Sequence, residues 1–415
     1  MDRISGLSDE LLVKILLLVP TKVAVTTSIL SKRWEYLWMW LPKLEFRNID
    51  CSEPECKRLQ CFLNSNLPVH RAPVIESFRL DLCCSRFKPE NIRMWVVKAV
   101  SHCLRELEIV YESDTAKPIV LPSNLYTCKS LVVLKLRGGI FLDVPRMVSL
   151  PSLKTLKLIS VIYLKDETLQ RLLSNCPILE DLLVELGERD TTRKLTIVVP
   201  SLQRLSLDLA YDHYHIDGFM LLTPALKYFK LWDHNCDAHY CLIESTMPFL
   251  VEAHLDVEIH ELNSLIGSLT SVKRLSICSQ TIFDEGFVFN QLEHLEVCVC
   301  SMLSPNQLVQ LLNASSNLKR LDISLMDEHE SSGMDDWNEP TTVPECILSS
   351  LQSFSWSKYT GEPHERDVVV YILKHARHLK TATIKSSQSD VPKLEMLKEL
   401  ALSSRASTTC QLVFE

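Results

Sequence analysis

Few groupings in this 415-residue sequence carry side chains whose types and spacing could do chemistry. His234-Asn235-Cys236-Asp237-Ala238-His239-Tyr240-Cys241 offers four soft ligands within eight residues. A zinc site needs ligand pairs that converge on a tetrahedron, usually from two separated turns. One short stretch of alternating residue types does not supply that, so it reads as an ordinary loop. Asp212-His213-Tyr214-His215 reads as a surface loop as well. Cys83-Cys84 and Cys298-Val299-Cys300 read as fillers of core or neighbouring-strand positions rather than redox pairs. Phosphate loop, dinucleotide fingerprint and nucleophile elbow are all missing from the sequence. No metal, cofactor or catalytic residue is therefore assigned, and the chemistry to look for is that of a binding surface.

That surface follows from a repeat. The order apolar, two variable, apolar, one variable, apolar starts at Ile75-Phe78-Leu80 and Leu104-Leu107-Ile109. It runs on through Leu226-Phe229-Leu231 and Leu318-Leu321-Ile323 to Leu379-Ala382-Ile384. Its spacing, about 25 residues, predicts an irregular leucine-rich-repeat solenoid of mixed α/β class, one short parallel strand per turn with a helical or irregular return. Two returns read as helices: the stretch from Asp166 to Pro177, and the stretch from Ser304 to Leu312 with proline at the first helical position. Strand side chains alternate, so the variable residues flanking each middle apolar position face away from the core. The candidate target-binding residues on that concave face are Glu106, Lys135, Lys157, Arg204, Tyr228, Lys230, His254, Arg274, His294 and Arg320. Mixed charges with an aromatic suit protein recognition.

Ahead of the repeats, Ile4 to Pro42 reads as three short helices with more apolar surface than forty residues can bury alone. Ser8 is placed to cap the first, with Asp9 and Glu10 in its first turn. Leu11, Leu12, Ile15, Leu16 and Val19 recur at helical spacing until Pro20 stops the run. Thr21 is placed to cap the second helix and Ser31 the third, whose stripe is Trp34, Leu37, Trp38 and Leu41. The run does not read as a signal peptide, because Asp9 and Glu10 precede it, Lys14 interrupts it and it lacks a small-residue cleavage site.

This stretch resembles the plant-type F-box. Asp2-Arg3-Ile4-Ser5, Leu7, Asp9-Glu10, Pro20-Thr21-Lys22, Ala24-Val25, Thr27-Ser28, Leu30-Ser31-Lys32-Arg33-Trp34 and Leu37-Trp38 fall in the family's order. The resemblance implies docking on a Skp-type adaptor through Leu7, Ser8, Leu11, Ile15, Pro20, Val23, Leu30 and Trp34, and through the adaptor a link to a cullin. At Ser8 the family has proline; serine keeps the cap and loses an apolar contact. The chain from about Trp337 resembles the FBD module, through Trp337-Asn338-Glu339-Pro340, Val343-Pro344-Glu345-Cys346, Leu348-Ser349-Ser350-Leu351 and Leu394-Glu395-Met396-Leu397-Lys398-Glu399-Leu400. It reads as two more strand–helix units and a last strand near Cys410 to Phe414, closing the open end of the solenoid. The expected order is F-box over 1–48, repeats over 49–330, then an acidic linker and FBD module over 331–415.

Taken together, the resemblance implies the substrate-recognition subunit of an SCF-type ubiquitin ligase, a non-catalytic receptor that holds a target protein. The alternative is a repeat scaffold with a degenerate F-box and no part in ubiquitination. A further alternative is a small-molecule co-receptor holding an inositol phosphate, which needs a strongly basic centre. The net charge of −8 speaks against nucleic-acid binding, and no run approaches the length of a membrane span. Fifteen cysteines without a framework suit reduced thiols in the cytoplasm or nucleus.

Overall fold

The computed structural model describes residues 4, 6–48, 52–82, 86–112, 118–163, 165–187, 192–209, 216–234, 240–243, 247–257, 263–279, 286–300, 305–326, 329, 337–387 and 392–415. Cys83-Cys84, Asp212 to His215, most of the His234–Cys241 stretch and most of the acidic linker lie outside the described residues. One compact unit is built mainly from residues up to 202, and a second mainly from residue 203 onward.

The first unit opens with the α-helices Asp9–Leu16 and Thr21–Thr26, then the 3₁₀ segments Thr27–Ile29 and Trp34–Trp40. Ser8 holds the cap position with extended backbone, and its carbonyl accepts from Leu12 N–H, but its hydroxyl makes no capping bond. Thr21 does not cap either. Pro20 takes that position, and the Thr21 hydroxyl accepts instead from the backbone N–H of Glu45, 2.9 Å away. The third segment is 3₁₀ rather than α, so Leu37, Trp38 and Met39 turn inward consecutively while Trp40 stays exposed. Arg33 ties its start back to the first helix, donating to Asp9 Oδ1 at 2.8 Å and to the Leu7 carbonyl.

Pro42 leads straight into a parallel ladder of Lys43–Asn48, Ser77–Leu82, Glu106–Tyr111, Val133–Gly138, Thr155–Ile159 and Asp181–Glu185, each paired with the next. Parallel neighbours require long crossovers. Early ones use the helices Glu53–Asn66 and Pro89–Val100. Later ones contain the short strands Ile119–Val120, Ile140–Leu142 and Ile162–Tyr163, which pair with one another in a small second sheet. Leu107, Leu134, Leu156 and Leu182 stack in register, all fully buried. Gly138 ends its strand at φ +89°, where an added Cβ would clash with the Tyr111 carbonyl oxygen.

His70 is buried in this unit between Trp38 and His102, ring centroids 6.4 and 5.7 Å away. Burial and the neighbouring His102 push its pKa down to about 4. Unfolding returns it to an ordinary imidazole that takes a proton below about pH 6.5. The unfolded state thus gains protons first as pH falls, so stability is lost on acidification between about 6.5 and 4. Going from pH 7 to pH 5 should cost the first unit about 2 kcal/mol through this group. Urea melts of wild type and His70→Leu at both pH values check it: the variant should lose about that much of the pH dependence.

The second unit continues the pattern with Arg204–Asp208, Tyr228–Asp233, Glu252–Val257, Arg274–Ser279, His294–Cys298, Arg320–Ser324, Ser353–Tyr359, Thr381–Ser386 and Gln411–Phe414, all parallel. Its inner row sets a large residue beside a small one at two places: Phe229 lies beside Ala253, and Phe354 beside Ala382. Such pairing lets adjacent turns approach without voids. The helices Pro305–Asn313, Pro363–His375 and Lys393–Leu402 fill the returns. Among the described residues no helix is long and apolar enough to cross a membrane.

Candidate functional site

Three surfaces are candidates, two in the first unit and one in the second. In the first unit, Leu12, Leu16, Ala24 and Leu37 are buried, which turns the other helical stripe outward. Leu11, Ile15, Pro20, Val23 and Leu30 are exposed, and Leu7 and Trp34 are half-buried. Each of the expected docking residues thus keeps solvent-accessible surface, and Ser8 is exposed as well. Two larger contributors escaped the sequence reading. Leu18 is 84% exposed and Ile29 is 88% exposed. Leu18 was legible in principle, because Leu11, Ile15 and Leu18 follow helical spacing. Ile29 was not, since its direction depends on the 3₁₀ turn at Thr27–Ile29. Exposed apolar surface of this kind is characteristic of interaction sites where it is contiguous.

On the ladder of the same unit, the outward row runs Glu45, Arg79, Glu108, Lys135 and Lys157 in register. Arg79 and Lys135 lie 3.2 and 3.5 Å from Glu108. Half-buried cross-strand pairs of this kind, still reached by solvent, contribute about 1 kcal/mol or less each. Glu106 is exposed at the start of its strand.

In the second unit, the outward row places Ser206, Lys230, His254, Ser276, Glu296 and Asp322 side by side. Beside it run Arg204, Tyr228, Glu252, Arg274, His294 and Arg320. Arg204 stacks on the Tyr228 ring at 4.2 Å. Burial holds that phenol above its ordinary value despite the guanidinium, so it stays a neutral donor. Glu252 receives both His254, 2.9 Å away, and Arg274, 2.8 Å away. Asp322 likewise receives His294 and Arg320, each at 2.7 Å. Burial would raise both carboxyls, but these bonds outweigh it and hold them below the usual carboxylate range. Glu296 accepts from the Ser276 and Ser324 hydroxyls at 2.9 and 2.7 Å.

A pocket of about 430 Å³ opens on this face, lined by Lys230, Trp232, His254, Asp256, Ser276, Glu296, Leu325 and Met326. Trp232, Asp256, Leu325 and Met326 were not foreseen. They lie one alternation beyond the repeat pattern or just after a strand, where the apolar spacing carries no signal. Among the described residues, Lys230 is the one Lys or Arg in the lining, set against Asp256 and Glu296, so an inositol phosphate would meet two carboxylates.

Comparisons with known proteins agree with this layout. The F-box domain model matches residues 4–46, and the FBD model matches residues 339–384. A model for the LRR repeats of FBD-associated F-box protein At5g56370 matches residues 92–244. FBD-associated F-box protein At4g10400 of Arabidopsis thaliana is 59% identical over the whole of both chains. FBD-associated F-box protein At5g38590, from the same plant, is 50% identical over 96% of this chain and 98% of its own. Putative F-box/FBD/LRR-repeat protein At5g62970 of Arabidopsis thaliana is 43% identical, again over the whole of both chains. Carrying an N-terminal helical face, a leucine-rich parallel ladder and a C-terminal FBD segment, and matched end to end by such relatives, this chain belongs to the plant F-box/FBD/leucine-rich-repeat family.

Proposed function

We propose that the chain is the substrate-recognition subunit of an SCF-type E3 ubiquitin ligase. The observation that carries this reading is the exposed apolar face of the F-box, with Leu11, Ile15, Leu18, Val23, Ile29 and Leu30 left uncovered by their own unit. That face docks a Skp-type adaptor, and the adaptor joins a cullin. The outward rows of the ladder hold the target protein, with Arg204–Tyr228 and the Glu252 and Asp322 clusters supplying preformed polar contacts. The subunit makes and breaks no bond itself. It acts by proximity, raising the effective concentration of target lysines near a charged conjugating enzyme. Its setting is the cytoplasm or nucleus, where scattered thiols stay reduced.

The alternative, a scaffold with a degenerate F-box, draws on Ser8. Its backbone φ of −68° falls within the range of proline, and among the described residues its N–H donates to no backbone carbonyl. Ser8→Pro should therefore fold normally and add an apolar contact, tightening adaptor binding a few-fold, about 1 kcal/mol at most. Titration of the purified chain with a plant Skp-type adaptor tests both readings. Tight wild-type binding, followed by ubiquitin transfer to a bound target once cullin and conjugating enzyme are added, supports the receptor. Binding seen only in Ser8→Pro makes the scaffold the better account, and binding in neither overturns the proposal.

A further inference from the structure

Three cysteines and a histidine that are scattered in the sequence meet in the second unit. Cys278 lies near the end of Arg274–Ser279, and Cys298 ends the neighbouring strand His294–Cys298. Ile277 faces Val297 across the parallel register, so the next residues of the two strands are neighbours too. Both share the parity of Ser276 and Glu296, which places their thiols on the outward face of the ladder rather than among the leucines. Cys300 follows Cys298 by two residues, and His329 comes from the chain beyond Arg320–Ser324. The four possible ligand atoms all lie within 4.8 Å of one another.

We propose that Cys278, Cys298, Cys300 and His329 bind one zinc ion in a tetrahedral Cys₃His site. Zn–S and Zn–N bonds of about 2.3 and 2.0 Å set tetrahedral edges of about 3.8 Å between sulfurs and about 3.5 Å from sulfur to nitrogen. The observed edges are 3.3 Å from Cys278 Sγ to Cys300 Sγ, 3.5 Å from Cys278 Sγ to His329 Nδ1 and 3.4 Å from Cys298 Sγ to His329 Nδ1. The ligands come from three separate segments, the convergence that a single short loop lacks. Three thiolates with one imidazole select a soft, tetrahedral ion over magnesium or calcium. On binding, the ion displaces one proton from each thiol to solvent and takes the neutral Nδ1 lone pair, leaving the ring proton on Nε2.

The surroundings match a metal site as well. His329 Nε2 lies 3.0 Å from Asp256 Oδ2, within ion-pair distance but not aligned as a hydrogen bond, so a small turn of the ring would bring the two into the carboxylate–imidazole pairing that orients a metal-bound histidine. Asp256 is itself held by His234 Nε2, 2.7 Å from its other oxygen. The backbone N–H of Met326 donates to Cys298 Sγ at 3.4 Å, and Leu325 and Met326 pack over the sulfurs. A disulfide accounts for less of this, because it would join two of the three sulfurs and leave the histidine and its aspartate unexplained. With zinc bound, the chain after Ser324 is clipped onto the rim of the pocket that Asp256 and Met326 line.

The test is metal analysis of the full-length chain, reduced and purified without chelator, then exposed to zinc or cobalt alone and gel-filtered. One equivalent of zinc is expected, and cobalt should give sulfur-to-metal charge transfer with tetrahedral d–d absorption. His329→Gln leaves the ladder core intact and should weaken binding by at least tenfold, and Asp256→Asn by about 10- to 100-fold. Cys278→Ser with Cys300→Ser should abolish uptake, and circular dichroism establishes that each variant is folded. A chain that retains no metal overturns the proposal, as does a Cys278–Cys300 disulfide in its place. Stoichiometric metal that survives the double cysteine substitution in folded protein does so too, since the ion would then be held elsewhere.

Discussion

Leu30→Glu should cut the affinity for a Skp-type adaptor by at least 100-fold while leaving the melting temperature within a few degrees of wild type. Leu30 is 64% exposed and follows the 3₁₀ turn Thr27–Ile29 in helical backbone, so glutamate meets no crowding in the free protein. In a dry apolar interface the same carboxylate loses its water without gaining a partner. That costs several kcal/mol, to which the lost leucine burial adds about 1.5 to 3 kcal/mol. Three kcal/mol already exceeds 100-fold in a dissociation constant. Leu16→Glu is the control, because Leu16 is buried and its substitution should abolish binding by unfolding the helices. Calorimetric titration beside thermal melts separates the two. Undiminished binding by Leu30→Glu would mean that the adaptor, if it binds, uses another face. Ile29→Ala should follow Leu30→Glu in direction, with a smaller loss, because it removes apolar contact without burying a charge.

How much of this was legible in the sequence differs by feature, for physical reasons. The ladder was, because a parallel strand buried on one face must repeat its apolar residues, and Leu107, Leu134 and Leu156 could be placed before any pairing was known. The inward and outward split of the first helix was half legible: Leu12 and Leu16 face in and Leu11 and Ile15 face out, all four having been placed in one apolar run. What decides between them is the position of Leu37 and Trp38, fixed by a 3₁₀ segment that the α-helical reading did not anticipate. The capping assignment at Thr21 failed because a hydroxyl takes whichever donor tertiary structure offers, here Glu45 N–H, whereas the Ser31 carbonyl does accept from the N–H groups of Trp34 and Glu35. The cysteine cluster was out of reach of spacing arguments. Cys278 and Cys298 become neighbours only through strand register, and His329 arrives from an acidic, turn-rich stretch with no periodicity. A ladder fold has no need to keep metal ligands close together in the chain.

Trp356→Ala should destabilise the second unit by about 4 kcal/mol, whereas Trp356→Phe should cost less than about 1.5 kcal/mol. The indole is fully buried, edge-on to Phe354 and Tyr359 at 6.5 and 5.7 Å between ring centroids. Alanine leaves a cavity lined by those rings. Phenylalanine keeps most of the contact, and among the described residues the indole N–H it removes makes no hydrogen bond, so no acceptor is left stranded. The reach of the damage carries the larger argument. Trp356 pairs in register with Ile323 on one side and Ile384 on the other, so the FBD segment extends the repeat ladder instead of folding beside it. In a stacked array each turn is stabilised by its neighbours, and weakening one loosens the next. Hydrogen exchange should therefore quicken in Arg320–Ser324 as well as in Ser353–Tyr359 and Thr381–Ser386, with urea melts supplying the free energies. Faster exchange confined to residues after 350 would show instead that the C-terminal module opens by itself. Under the shared-ladder account, the module keeps the outward row from Lys230 to Asp322 rigid by covering the leucines behind its last turn. Trp356→Ala should then weaken target capture while leaving adaptor binding at the other end of the sequence unchanged, and loss of both together would overturn that account.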